Sequence, residues 1–199
     1  MSHSLQIFAH GAHQLEDVER MGKNDPYAKF TFNFKDSKSF VKTAVKKNAG
    51  KDVEWNQDLI IENYDPNQNH TLYVDILDDE TLVDEPIAFT SIPLRQVVDA
   101  PGQVFKGRFD LYTISGKEKG NIGLTLAILK PGQSPHSISG GPDQQGFAQA
   151  DNEHHSHIKS LKNKERAADV GTAAALAGLI YGAKTLHDQH EKEKKAHEQ

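Results

Sequence analysis

The alternation of apolar and polar positions in the first 131 residues is the feature that most restricts the fold of this chain. Apolar residues recur at every second position in several short runs, of which the clearest lie at 5–9, 30–34, 41–45, 72–76 and 122–128. A period of two is typical of a β-strand that buries one face and exposes the other. Turn-rich segments separate the runs, so the pattern predicts an all-β fold, an antiparallel β-sandwich of about eight strands over residues 1–130.

Composition excludes several classes of protein. The chain has 199 residues, a formal net charge of −5 and no cysteine, so it has no disulfides, thiol nucleophile or sulfur-rich zinc site. The segment from Met1 to His13 lacks the basic and apolar regions of a secretory signal, and no glycine follows the initiator methionine for myristoylation. We therefore expect a cytoplasmic protein, and the negative charge argues against nucleic acid as a partner.

Three motifs follow one another along the predicted sandwich. They are NDPYAKF at Asn24 to Phe30, EWNQDL at Glu54 to Leu59, and LYVDILDDETLVDEPIA at Leu72 to Ala88. In this order they resemble the C2 domain family, over roughly residues 3–130. The resemblance implies a sandwich that docks on membranes, often through calcium held between two acidic loops. The first strand leads directly into the NDPY loop and GNIGLTLAIL supplies a last strand, an order that looks like the circularly permuted, type II arrangement.

The resemblance also implies a calcium site. Its ligands would be Glu19 and Asp25 on the first loop, and Asp78, Glu80 and Asp84 or Glu85 on the third. Calcium takes about six to eight oxygen ligands, so carboxylates must converge from different loops. Strong calcium binders of the family mostly carry Asp where this chain has Glu, and the longer side chains predict a mis-sized cage or a single, weaker ion. The alternative is that Asp25 orders its turn while the other acids keep exposed loops solvated.

Apolar residues near these loops predict contacts with a membrane. Leu82 and Val83 lie at the tip of the third loop and Met21 lies in the first, so all three are candidates for insertion into the interface. The alternative is that Leu82 and Val83 fold back under their own loop.

A lysine-rich strand offers a second route to a membrane. The resemblance implies that Lys29, Lys42, Lys46 and Lys47 bind anionic lipid headgroups, as a basic patch near a charged leaflet would. The other interpretation is that the lysines on this face serve only to keep the protein soluble.

The remainder of the chain differs in composition. Residues 131–158 contain few large apolar side chains and predict a disordered linker, in which His154, His155 and His157 are polar and flexible. Residues 159–199 are rich in Ala, Lys and Glu and predict a helical tail. Its apolar middle is too short and too weakly apolar to span a membrane. Gly171, Gly178 and Gly182 lie near one stripe, which favours a surface-lying or self-associating helix, or else a weak, solvated one.

Two functions remain open from the sequence. Sequence fingerprints of a nucleophile elbow, a P-loop or a dinucleotide fold are missing, so we do not expect an enzyme. The first hypothesis is a phospholipid-binding adaptor, assisted by Ca²⁺, on an anionic membrane surface. The second is a calcium-independent protein-interaction scaffold that self-associates through the tail helix.

Overall fold

The computed structural model describes residues 2–19, 22–36, 38–137 and 144–168. Its strands are β1 (His3–His13), β2 (Pro26–Thr31), β3 (Val41–Lys42), β4 (Val53–Tyr64), β5 (Thr71–Asp78), β6 (Glu85–Pro93), β7 (Val104–Tyr112), β8 (Glu118–Leu129) and β9 (Gln144–Gln145). Helix α1 covers Arg95–Val98 and is followed by a 3₁₀ turn at Pro101–Gln103. The described part of a second helix, α2, covers 152–168.

Eight strands form the predicted antiparallel sandwich, in the order β3-β2-β5-β6-β7-β8-β1-β4. A single residue pair, Phe89 with Tyr112, joins β6 to β7, so this is the weak seam between the two four-stranded halves. β8 lies beside β1, so the first strand and the last long strand are neighbours.

The apolar positions of the alternating runs form the core, as the sequence predicts. Leu5, Ile7 and Ala9 on β1 are fully buried, and so are Leu72, Val74 and Ile76 on β5. On β8 the residues at 122, 124 and 126 are buried as well, but so are those at 123, 125 and 127 between them, so this strand does not expose a second face. Each large apolar side chain removed from water in this manner contributes about 1.5–3 kcal/mol.

The run at 41–45 is less regular than its alternation predicts. β3 contains two residues, although Thr43 still donates its N–H to Ala28 O at 2.9 Å and accepts from Ala28 N through Oγ1 at 2.9 Å. The N–H of Ala44 instead donates to Oε1 of the Gln57 side chain, at 2.8 Å. The strand ends early because side-chain acceptors replace the regular backbone ladder.

Strand register brings two acidic loops to one end of the sandwich. Asp78, the last residue of β5, pairs with Pro26 at the start of β2 and with Glu85 at the start of β6. The loop segments at 14–19, 22–25 and 79–84 therefore lie side by side. The opposite end carries His3 and its partner Tyr64.

Residues 144–158 differ from the predicted disordered linker. Gln144 and Gln145 pair with Gly107 and Arg108 of β7, and Gln149 exchanges both backbone hydrogen bonds with Ser91 of β6. The segment thus bonds to both strands at the seam. Composition indicated little apolar surface to bury, but the unpaired backbone groups at this seam provide hydrogen-bond partners instead.

Helix α2 also begins before the predicted boundary at residue 159. Asp151 Oδ1 accepts the N–H groups of Glu153 and His154, both at 3.0 Å, as the cap of the helix. His154 and Ile158 are completely buried. The first turns of α2 are therefore packed on the sandwich.

This packing is tested by Ile158→Ala. Because Ile158 is buried, its truncation should lower the free energy of unfolding by about 2–4 kcal/mol in urea denaturation of the full chain. The exposed neighbour Lys159→Ala is the control and should change it by less than about 0.5 kcal/mol. Equally small effects at both positions would contradict the docked arrangement of α2.

Candidate metal centre

Asp78 is the most unusual residue at the acidic end. Its side chain is completely buried at the end of β5, and its Oδ1 accepts the N–H of Asp25 at 2.5 Å. Its Oδ2 is buried without a hydrogen-bond partner among the described residues. Burial, together with the charges of Glu19, Glu80 and Asp25, raises the pKa of Asp78 to about 6. A buried carboxylate with one free oxygen needs either a proton or a cation.

Glu19 and Glu80 converge on this carboxylate. One oxygen from each of Glu19, Asp78 and Glu80 lies within 4.8 Å of the others. Burial and the charges of Glu19 and Glu85 raise the pKa of Glu80 as well. Two oxygens bound to one calcium ion at about 2.3–2.6 Å are at most about 5 Å apart, so all three carboxylates fit a single ion. Other oxygens, from backbone or water, would complete its shell.

Asp25, the second predicted ligand of the first loop, is already paired. Lys47 Nζ lies 2.9 Å from Asp25 Oδ2 and 2.7 Å from Asp79 Oδ2, while Asn48 N donates to Asp25 Oδ1 at 2.5 Å. Although burial opposes it, these donors lower the pKa of Asp25. The two carboxylates in turn raise the pKa of Lys47. Lys47, predicted for lipid headgroups, is thus a fixed counter-charge within the acidic loops.

Asp84 and Glu85 also have protein partners. Tyr27 donates its hydroxyl to Asp84 Oδ2 at 2.5 Å, and burial and this bond raise the pKa of Tyr27. Glu85 forms an ion pair with Lys162 of α2. The structure therefore brings together three of the six predicted ligands, Glu19, Asp78 and Glu80, and engages the other three with neighbouring side chains.

A cavity of about 360 Å³ opens between the third loop and α2. Its charged lining is Glu19, Glu80 and Glu85 from the sandwich and Lys162, Glu165 and Arg166 from the helix. Leu82 at the tip is 61% exposed, and Val83 is half-buried. Met21, the third predicted insertion residue, lies outside the described residues.

The contribution of α2 to this end was missed from the sequence. Lys162 and Glu165 are separated from the third loop by some eighty residues of chain and belong to no motif. The one available signal was electrostatic, because an excess of carboxylates on neighbouring loops requires cations from somewhere in the fold.

The C2 domain family model matches residues 3–111, which is more than half of the chain. The chain belongs to the C2 domain family. A comparison with curated proteins found no match.

Solved C2 structures share the fold. A C2 domain of plant extended synaptotagmin 1 is 21% identical, with a TM-score of 0.53, over 63% of this chain and 93% of that one. A C2 domain-containing protein from a putative elicitor-responsive gene is 26% identical, with a TM-score of 0.51, over 69% and 95%. A calcium-bound pair of C2 domains from extended synaptotagmin 2 is 20% identical, with a TM-score of 0.51, over 63% and 45%.

The other predicted lysines lie on β2, β3 and the segment that follows in this C2 domain. Lys29 and Lys42 are register partners, and Lys46 is exposed. Lys29 Nζ is 5.1 Å from the centre of the Phe40 ring, and Lys42 Nζ is 5.4 Å from that of Tyr27. Aromatic contacts of this kind hold the ammonium groups in place at the surface.

The predicted tail association lies outside the described residues, which end at 168, and with it Gly171, Gly178 and Gly182. Among the residues that the structure describes, none of the helices is long and apolar enough to cross a bilayer.

His154 has a structural role in the C2 domain and is not the flexible residue that the sequence suggested. Its Nε2 lies 2.6 Å from Asp75 Oδ1 and its Nδ1 lies 3.0 Å from Ser91 Oγ. Ser, His and Asp in contact resemble a hydrolytic triad, but each of the three is at most 1% exposed, so a substrate cannot reach the hydroxyl. The contact anchors α2 to β5 and β6.

The raised pKa of Asp78 predicts a dependence of stability on pH. Between about pH 4 and pH 6 the folded protein holds a proton on Asp78 that the unfolded chain has lost, so stability falls as pH rises through this window. Asp78→Asn removes the buried charge, so its free energy of unfolding should exceed that of wild type by about 1–3 kcal/mol at pH 7.5. This difference should disappear near pH 4.

Asp99→Asn is the control for this comparison in urea at several pH values. Asp99 pairs with Arg95 at the surface, so its loss should change stability by less than about 1 kcal/mol. If Asp78→Asn followed the same course as Asp99→Asn at every pH, the buried-charge account of Asp78 would be wrong.

Proposed function

We propose that this C2 protein is a non-catalytic peripheral membrane module that binds anionic phospholipid with the help of one calcium ion at Glu19, Asp78 and Glu80, and acts as a cytoplasmic adaptor. The free buried oxygen of Asp78, with two further carboxylates within 4.8 Å, is the observation that supports this proposal best. Hard oxygen ligands of this kind suit calcium.

A single ion of modest affinity is expected. Lys47 already pairs with both Asp25 and Asp79, so fewer carboxylates are available than a site for two ions requires. The buried charge of Asp78 still favours a cation, because a carboxylate in a desolvated position gains more from a nearby positive charge than an exposed one does.

Bound calcium would allow the acidic end of the sandwich to approach an anionic bilayer. Uncompensated carboxylates repel an anionic bilayer over about a Debye length of 8–10 Å, so the loops cannot approach the lipid while they are bare. One bound ion neutralises most of the negative charge of the three carboxylates and lets Leu82, which is 61% exposed beside Glu80, enter the interface. Insertion of such a side chain contributes about 1–2 kcal/mol. Lys42 and Lys46 would add contacts with headgroups.

The comparisons support this proposal without deciding it. The related C2 domains of extended synaptotagmin 2 are described as calcium-bound. That is a property of that protein, and its transfer to this chain is part of the proposal.

The scaffold remains the second candidate function. Lys47 and Lys162 already pair with carboxylates of both loops, an arrangement that favours a loop end that needs no metal. Such a protein would associate through the Gly171, Gly178 and Gly182 stripe of its tail.

The proposal predicts calcium-dependent attachment. Full-length protein should co-sediment with vesicles of phosphatidylcholine and phosphatidylserine in calcium and not in chelator, and calcium alone should raise the melting temperature, since a ligand of the folded state stabilises it. Glu80→Gln should abolish both effects because it removes one of three carboxylates.

Glu62→Gln is the matched control, because it makes the same change at the opposite end of the sandwich. In the same assay Leu82→Ser should weaken sedimentation about tenfold, while Phe147→Ser should not. Leu82 and Phe147 are the two large apolar side chains that are exposed in the described parts of the chain. Binding that is equal in chelator and in calcium would contradict the calcium-assisted module and favour contact through the lysines.

A further inference from the structure

The start of helix α2 is fixed to the sandwich. His154 is buried between Asp75 and Ser91, and its ring lies 5.3 Å from that of Phe34, nearly parallel to it. His155 stacks on Phe89 with ring centres 5.1 Å apart, and Ile158 is completely buried. These contacts set the direction of the helix and send its later residues toward the acidic loops.

The end of the described helix meets the candidate metal centre. Lys162 pairs with Glu85 at the start of β6 and lies 2.9 Å from Glu165 Oε2. The three side chains are between 10% and 16% exposed, so water screens these pairs less than it screens ordinary surface pairs. Lys162, Glu165 and Arg166 line the same cavity as Glu19, Glu80 and Leu82.

We propose that residues 159–168 are a built-in cover of the membrane-binding end, in which Lys162 competes with calcium for the loop carboxylates. When the ion binds, Lys162 is displaced, Glu85 becomes available to the site, and the helix lifts away from the third loop. This inference rests on the proposed function, because it concerns regulation of the same site.

Electrostatics supports the competition. Glu80 and Glu85 line the same cavity, so an ion held by Glu80 also attracts Glu85. The same ion repels the ammonium group of Lys162, which lines the same cavity. Lys162 and calcium therefore offer alternative neutralisation of one set of carboxylates.

The fixed start of the helix decides which part moves. His154 and Ile158 remain buried while the ion pairs from Lys162 onward break, so the helix separates from the loops and not from the body of the sandwich. Once released, Lys162 and Arg166 carry positive charge beside an anionic leaflet, where it is attracted. The cover would then become a second membrane contact.

The test compares Lys162→Met with Lys164→Met in the full chain. Both variants remove one positive charge from α2, but Lys164 is exposed and Lys162 is not. Lys162→Met should raise calcium affinity at least about fivefold and lower the calcium needed for sedimentation with phosphatidylserine vesicles, while Lys164→Met should change either by less than about twofold. Hydrogen exchange of 159–168 should accelerate on addition of calcium to wild type, and should already be fast in calcium-free Lys162→Met.

Each outcome decides the inference. A selective effect of Lys162→Met, with exchange at 152–157 unchanged, supports the cover. Calcium and vesicle binding that is identical in wild type and Lys162→Met, with slow exchange throughout, overturns the cover and leaves the proposed function intact. Equal effects of the two lysine variants indicate long-range charge alone and also overturn it. If neither wild type nor Lys162→Met binds calcium or vesicles, both the cover and the proposed function fail.

Discussion

The crowding of carboxylates at one end of the sandwich is the constraint on which the rest of this structure depends. Pairing of β5 with β2 and β6 places Asp78 between two acidic loops, and burial prevents water from screening it. Repulsion between like charges at this distance requires compensation. Lys47 compensates one side of the end and Lys162 the other, while Glu19, Asp78 and Glu80 form no ion pair with any of the described residues and can take a proton or an external cation.

In this arrangement the acidic end of the sandwich and helix α2 depend on each other. The sandwich alone would present a bare acidic end, and α2 alone would be a short, charged helix. Joined by the buried His154 contact, the helix brings Lys162 to Glu85. Under the proposed function, calcium and Lys162 are alternatives for the same carboxylates, so the protein would rest in a covered state and bind membranes when the ion replaces the helix.

The fold could be predicted because its strands have a clear local periodicity, as at Leu5 and Ile7, and because the order of the acidic motifs places Glu19, Asp78 and Glu80 on adjacent loops. Interactions that depend on the assembled structure could not be predicted. Residues 144–149 bond to the seam between β6 and β7 through their backbone, for which composition provides no signal. The ion pair between Glu85 and Lys162 is equally remote in sequence, so the loops alone give no signal for it.

Calorimetric titration of calcium into the full chain at pH 6, in buffers of different ionisation enthalpy, tests the central claim most directly. Because Asp78 has a pKa of about 6, an ion bound there must displace its proton. The account predicts a single binding event with proton release, and loss of that release in Asp78→Asn. Binding without proton release, or identical titrations of wild type and Asp78→Asn, would contradict it.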